Sequence, residues 1–368
     1  MNIFNLRKIE LEITNDCNAA CPGCARTKQA SEMKITSFGL EDIKRLFPTK
    51  ESIDKKIFKF CGVLGDPAMN IECLDMVKYL VENGAWCQLS TNGGVQKAEW
   101  WRELGELSAR TNSVDVSFCV DGHKETNHIY RVNTKFDTIA RNMQAYSEGG
   151  EGKASATWMF IVFDHNEYEL DVAKTHATEL GFKFATRTGM RNSYADWVSV
   201  TKTRNIETKK LEDSVKVITT TGDKEHKAKE EVLEIDKAIT NFKKLTTIPN
   251  KTQETTVAIQ RVQELSKTIT CKLIHEGEIF ISADKKMWPC CFLWDSSFVN
   301  KEKINDKLAE YGGDWNDLSV HSIDEILQHP WFDKILADSW DPTHDKHLTR
   351  CLKTCGLNKA YHNKINYS

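Results

Sequence analysis

Five times in the first half of the chain a strand-like run is followed by a helix-like one before a sixth strand-like run closes the series, and few folds accept that rhythm. Lys8–Ile13 alternates apolar and charged residues, as a strand with two different faces does. Ile57–Val63, Trp86–Ser90, Val114–Val120, Ala156–Phe163 and Phe182–Ala185 read as further strands. Between them, Gly39–Phe47, Ile71–Glu82, Lys97–Leu107, Phe136–Tyr146 and Glu167–Leu180 carry apolar residues at helical spacing. Strand-then-helix repetition predicts an α/β fold: a parallel sheet with helices outside it. A closed eight-unit barrel needs more residues than this half supplies. The expectation is therefore an open, partial (β/α)6 barrel of TIM-like type over residues 1–192.

The composition changes near residue 200. From Thr201 to Thr270 the chain is rich in Lys, Glu and Thr and has no Cys or Trp. Val232, Ile235, Ile239, Phe242 and Leu245 form one helical stripe and Val257, Arg261 and Leu265 a weaker one, with Pro249 between them. Residues 193–268 thus read as a charged helical insertion, a solvated hairpin. Residues 269–368 read as a small α+β domain: a β-hairpin over Gly277–Trp288 turning at Ala283–Lys285, a helix over Ser322–Ile335, and thiols on either side. With 40% hydrophobic and 28% charged residues the chain is neither disordered nor a membrane bundle. A net charge of -3 gives no broad attraction to nucleic acid. The opening MNIFNLRKIELEIT lacks the apolar block of a secretory signal, which predicts a cytoplasmic chain.

In a reducing compartment, clustered thiols point to metal before disulfides. Cys17, Cys21 and Cys24 follow the first strand directly. In α/β barrels and open sheets, ligands bind at the carboxyl ends of strands. Three thiolates there leave one coordination position of a four-site centre open, the pattern of a catalytic centre. A second set, Cys271, Cys290, Cys351 and Cys355, can close a metal site around the hairpin. Cys291 is the alternative to Cys290, because adjacent strand residues point to opposite faces. Spacing alone leaves zinc and iron–sulfur open for both sets. Cys61, Cys73, Cys87 and Cys119 lie singly in apolar segments and read as core packing.

The Cys17-x3-Cys21-x2-Cys24 loop resembles that of the radical S-adenosylmethionine (radical SAM) superfamily, and the resemblance runs over roughly Ile9–Arg187. Gly62-Val-Leu-Gly65-Asp66-Pro67 looks like the family's Gly-Gly-Glu-Pro loop, whose backbone and acid receive the methionine amino group. Leu64 stands where the family has its first Gly, and Asp66 where it has Glu. Ser90-Thr91-Asn92-Gly93 resembles the Thr-Asn-Gly turn. Ser117 and Asp121-Gly122 resemble the segment near the ribose, with Cys119 at the strict Ser position. His128-Ile-Tyr130-Arg131 resembles a segment whose Arg meets the cofactor carboxylate. Asn166, after the fifth strand, is a further cofactor candidate; His165 and Arg187 are candidates facing the site. The family's aromatic residue before the third cysteine is Gly23 here, so adenine must be held differently.

The resemblance implies a 4Fe–4S cluster on Cys17, Cys21 and Cys24 with S-adenosylmethionine on its fourth iron. One electron then cleaves the sulfonium, and a 5′-deoxyadenosyl radical abstracts a substrate hydrogen. The late thiols resemble the Twitch or SPASM extensions, which implies one auxiliary 4Fe–4S cluster on Cys271, Cys290, Cys351 and Cys355. The implied cofactors are S-adenosylmethionine and two 4Fe–4S clusters. The implied function is oxidation or cross-linking of a peptide or protein side chain, with electrons from a reduced flavodoxin- or ferredoxin-type donor. Alternatives are dehydrogenation of a small molecule and a non-catalytic protein stapled by zinc.

Overall fold

The computed structural model describes residues 1–29, 33–188, 223–298, 308–357 and 366–367. The chain divides into two compact units. One comprises Leu6–Leu211, Phe280–Lys286 and Lys364–Ser368; the other comprises Met1–Asn5, Glu212–Ile279 and Met287–Asn363.

The first unit is built on six parallel strands in sequential order: β1 (Lys8–Leu11), β2 (Ile57–Phe60), β3 (Trp86–Thr91), β4 (Val114–Cys119), β5 (Ser155–Val162) and β6 (Lys183–Thr188). It is the α/β partial barrel that the alternation predicts. Helices α1 (Leu40–Leu46), α2 (Cys73–Glu82), α3 (Ala98–Thr111), α4 (Phe136–Gly149) and α5 (Leu170–Glu179) connect the strands. The sheet's helix-facing side is apolar. Phe58, Phe60, Val116, Phe118, Trp158 and Phe160 are fully buried there. Trp101 of α3 meets Phe118 at 5.2 Å between ring centroids, and Tyr146 of α4 meets the same ring at 5.7 Å. Each such side chain contributes about 1.5–3 kcal/mol by leaving water.

The opposite face is polar. Register places Glu10, Lys59, Gln88, Asp115 and Ser155 in one row across β1 to β5. Ser90, Ser117 and Thr157 form the next row. Parallel strands covered by helices on both sides are apolar throughout. One polar face therefore marks the wall of an open barrel, a surface kept for something other than packing.

Element ends shift in two instructive places. β2 stops at Phe60, three residues before the expected end, because Cys61–Asp66 turns over the strand ends. α3 runs four residues beyond its expected stop and ends where Asn112 takes a left-handed φ of 51°. Beside β1, the end of β7 (Glu278–Ile281) extends the sheet: the Glu12 N–H donates to the Ile281 carbonyl at 2.9 Å. The expected turn at Ala283–Lys285 follows, with Lys285 at φ 64°.

In the second unit, α6 (Asp223–Thr247) and α7 (Gln253–Ser266) form the helical hairpin expected from the two stripes, with Pro249 in the connection. Ile239 and Phe242 are buried, so the pair is more than a solvated appendage. By its contacts it groups with the C-terminal thiols in one unit; residues 193–222 of the expected insertion lie outside the described residues. Strand β8 is Met287–Trp288, followed by α8 (Cys291–Phe298). The single helix expected over Ser322–Ile335 is broken. α9 (Ile323–Gln328) starts on a Ser322–Glu325 capping box and ends at His329, and Pro330 opens a separate wider turn over Trp331–Ile335. Strand β9 (Asn366–Tyr367) pairs antiparallel with β6 in the first unit. No helix among the described residues is long and apolar enough to cross a membrane.

Candidate active site and metal centres

The loop beyond β1 is stitched down before it reaches its first thiol. The Asp66 N–H donates to the Asp16 carbonyl at 2.7 Å, and the Ala20 N–H to the Val132 carbonyl at 2.9 Å. Asp16 also takes the Cys17 N–H at 2.8 Å and pairs with Arg26 at 3.1 Å. The result brings Cys17, Cys21 and Cys24 into one cluster with Tyr130, Ile129, Ile161 and Phe163. Two N–H groups reach the Cys17 sulfur: Ala19 at 3.4 Å and Asn92 Nδ2 at 3.7 Å. Burial pushes Cys17 up to about 12, helped by the Asp66 carboxyl, and raises Cys21 against the pull of Arg131.

The other expected residues surround this tripod in varied states. Gly62 and Gly65 need to be glycine: a Cβ on Gly62 would overlap the Gly65 carbonyl, and one on Gly65 the Thr14 carbonyl. Asp66, expected to receive an ammonium, is occupied as a brace. It accepts from Ala68 N–H at 3.0 Å, Asn92 N–H at 2.7 Å and the Thr91 hydroxyl at 2.9 Å. Burial raises its pKa against those bonds. Asn92 divides its amide between Asn18 and Cys17 on one side and the Gly94 N–H on the other. Asp121 is fully buried and clamps Arg131 Nε at 2.6 Å and the Ile161 N–H at 2.7 Å, so its carboxylate acts through Arg131. Asn166 is likewise a brace: it donates to the Asp121 and Ile161 carbonyls and accepts from the Phe163 N–H. Ser117 stands half-buried on the polar face, and Arg187 is exposed at the end of β6. His165 stacks on Phe163 at 5.2 Å, and burial pushes its imidazole down to about 4.

On the polar face Glu12 escaped the sequence reading, and Cys61 was read as core packing alone. Glu12 and Cys61 sit beside the Gly62–Pro67 turn, and Cys119 lies one row above Ser117. Of the four single cysteines, Cys73 and Cys87 are core, as expected, while Cys61 and Cys119 belong to this wall; Cys61 donates its thiol hydrogen to Glu10 at 3.1 Å. The signal was present in Lys8–Ile13: acidic residues at every second position of a covered strand mark a polar inner face.

In the second unit, Cys271, Cys290, Cys351 and Cys355 line one small cavity with Pro289, Leu293, Leu336 and Trp340. Cys290 lines it and Cys291 does not. Burial pushes Cys290 up to about 12 and Cys355 to about 11, and raises Cys271 and Cys351. Lys272 and Arg350 act the other way on Cys355. Arg350 pairs with Asp295 at 3.1 Å.

Thiols this buried become thiolates only when a cation replaces their protons. Among the described residues no three donors sit close enough to hold a single ion. A tetrahedral zinc, with Zn–S of about 2.3 Å, would draw its sulfurs to within about 3.8 Å of one another. A cubane spreads them further apart. Both sets have the sulfur donors and the apolar surround that suit an iron–sulfur cluster.

No family model matches the chain. Over 120 residues it is 27% identical to the AdoMet-dependent heme synthase of Nitratidesulfovibrio vulgaris, covering 33% of this chain and 31% of that protein. Over 178 residues it is 26% identical to the tungsten-containing aldehyde ferredoxin oxidoreductase cofactor-modifying protein of Pyrococcus furiosus, covering 48% and 49%. The matched stretches span between a quarter and a half of these curated relatives' own length. Among solved structures, Streptococcus suis SuiB bound to precursor peptide SuiA shares the fold with a TM-score of 0.52 at 12% identity, over 98% of this chain and 74% of that one. The chain is thus similar over part of its length to AdoMet-dependent heme synthases, and it shares its fold with SuiB.

Proposed function

We propose that this chain is an S-adenosylmethionine-dependent oxidoreductase that generates a 5′-deoxyadenosyl radical and abstracts a hydrogen from a peptide or protein side chain, leaving it oxidised or cross-linked. The convergence of Cys17, Cys21 and Cys24 at the carboxyl end of β1 carries the reading. These thiols would hold a 4Fe–4S cluster, and Cys271, Cys290, Cys351 and Cys355 an auxiliary one. When bound, the first cluster supplies the electron that breaks the sulfonium bond.

The chain's own residues do the rest. Asn92 and Ala19 present N–H groups to the Cys17 sulfur, which favours negative charge there. Asp121 fixes Arg131 so that the remaining guanidinium N–H groups can meet a carboxylate. Gly62 and Gly65 let backbone approach a ligand closely. Tyr130, Ile161 and Phe163 keep water from the thiols. Lys272 and Arg350 put positive charge beside the second set.

A peptide substrate is supported by SuiB, whose structure contains its precursor peptide. The likeness to AdoMet-dependent heme synthase supports a second reading, oxidation of a small molecule. The electron donor is a reduced flavodoxin- or ferredoxin-type protein, and a cytoplasmic site fits such a partner. Oxygen-free reconstitution tests the proposal. Roughly eight iron and eight sulfide per chain, with 5′-deoxyadenosine formed on adding dithionite and S-adenosylmethionine, is the expected outcome. A colourless chain holding stoichiometric zinc would contradict it.

A further inference from the structure

Among the described residues, the cavity that gathers Cys271, Cys290, Cys351 and Cys355 has one charged side chain in its lining, Lys272. Its Nζ pairs with Glu278 at 2.5 Å, and the two side chains are 12% and 3% exposed. Glu278 opens β7 and is not among the residues that line the cavity. The pair is thus a buried dipole with its ammonium end toward the thiols and its carboxylate end away from them. The ammonium also stands 5.9 Å from the centre of the Phe292 ring, itself part of the lining. Arg350 lies 5.8 Å from the same ring, but it is paired with Asp295 and is the more exposed of the two cations at 29%. Burial raises Cys271, Cys290 and Cys355, and Lys272 pulls each of them back down. Glu276 opposes it at Cys271 and Cys355, but Glu276 is exposed, where water and salt screen a charge.

Burying an ion pair carries a desolvation cost that its own attraction often fails to offset. Stability alone gives little reason to hold this pair beside four thiols. A centre that gains negative charge in the cavity gives a better one. A cubane on four thiolates is anionic, and one-electron reduction makes it more negative while no bond forms or breaks. In a lining of low dielectric, the nearer ammonium favours that added charge more than the farther carboxylate opposes it.

We propose that the Lys272–Glu278 pair, aligned with its ammonium toward the four thiols, raises the reduction potential of the cluster they hold above that of the same site without the pair. The cluster is the auxiliary one named under Proposed function, and the inference rests on that reading. A raised potential suits a centre that takes an electron up over one that gives it away.

The test uses the full-length chain carrying Cys17→Ala, Cys21→Ala and Cys24→Ala, so that one cubane is left to report. This parent is reconstituted without oxygen, and its potential is read by a dye-mediated redox titration followed by electron paramagnetic resonance. Lys272→Met with Glu278→Gln removes both charges and keeps both shapes, so no buried charge is left unmatched. The double variant should favour the oxidised cluster roughly tenfold over the parent, a fall of about 59 mV for a one-electron couple. Glu278→Gln alone removes the opposing end of the dipole and should shift the equilibrium the other way. Opposite shifts from the two changes are a result that loss of packing does not produce. Lys272→Arg keeps the charge and should stay within roughly twofold of the parent. A double variant that stays within roughly twofold of the parent, or whose potential rises, overturns the proposal. A parent whose four late thiols take up zinc or no metal defeats the auxiliary-cluster reading and the proposal with it, whereas a cubane of unmoved potential defeats the proposal alone.

Discussion

Two buried carboxyl groups frame the turn after β2, and each responds to burial in its own way. Asp66 is matched by three donors, one from its own turn and two from Thr91 and Asn92 at the end of β3. Asp66→Asn keeps the shape but turns an N–H toward those donors. It should cost about 1–3 kcal/mol, seen as a lower melting temperature. Glu12 is only half matched, and its pKa rises from 4.5 to about 7. Between those values the folded chain keeps a proton that the unfolded chain releases. The stability this gives is complete below pH 4.5 and is lost as pH rises through 7, about 3 kcal/mol in all. Stability measured against pH should show that fall in wild type and not in Glu12→Gln. The grouping of Cys17, Cys21 and Cys24 was legible because their spacing is local. The division between braces (Asp66, Asp121, Asn166) and the less fully matched Glu12 was not, since it depends on which partners other strands bring.

Local rules place the strands and helices well, and miss where a ligand loop or a buried turn overrides them. β2 ends early because the chain needs Gly62 and Gly65 to pass close to its own carbonyls. Gly65→Ala forces a Cβ against Thr14 and should abolish cofactor binding and lower the melting temperature; dialysis binding and circular dichroism check this. At the end of α3, Asn112 holds its left-handed φ at little cost. Asn112→Val should destabilise by about 1–2 kcal/mol while Asn112→Gly changes little, as chemical denaturation will show. The Ser322–Ile335 break was visible in Pro330, yet the helical spacing of Ile323, Ile326 and Leu327 continues into Trp331 and masks it.

On the scale of the whole molecule, two compact units each gather one set of thiols. Composition and periodicity change along the chain near residue 200, which is what suggests a division into α/β and cysteine-rich parts. The membership of α6 and α7 in the cysteine-rich unit was not readable, because it is settled by packing of Ile239 and Phe242. If the two sets hold different clusters with different tasks, removing one should leave the other's work intact. Cys351→Ala with Cys355→Ala should spare reductive cleavage of S-adenosylmethionine and impair turnover of the natural substrate. The most direct test is Mössbauer spectroscopy of oxygen-free protein labelled with iron-57, with and without S-adenosylmethionine. The account predicts two cubanes, of which one changes a single iron site when S-adenosylmethionine is added and disappears in the Cys17→Ala, Cys21→Ala, Cys24→Ala triple variant. Spectra that ignore S-adenosylmethionine at every iron, or a triple variant that keeps both cubanes, would contradict it.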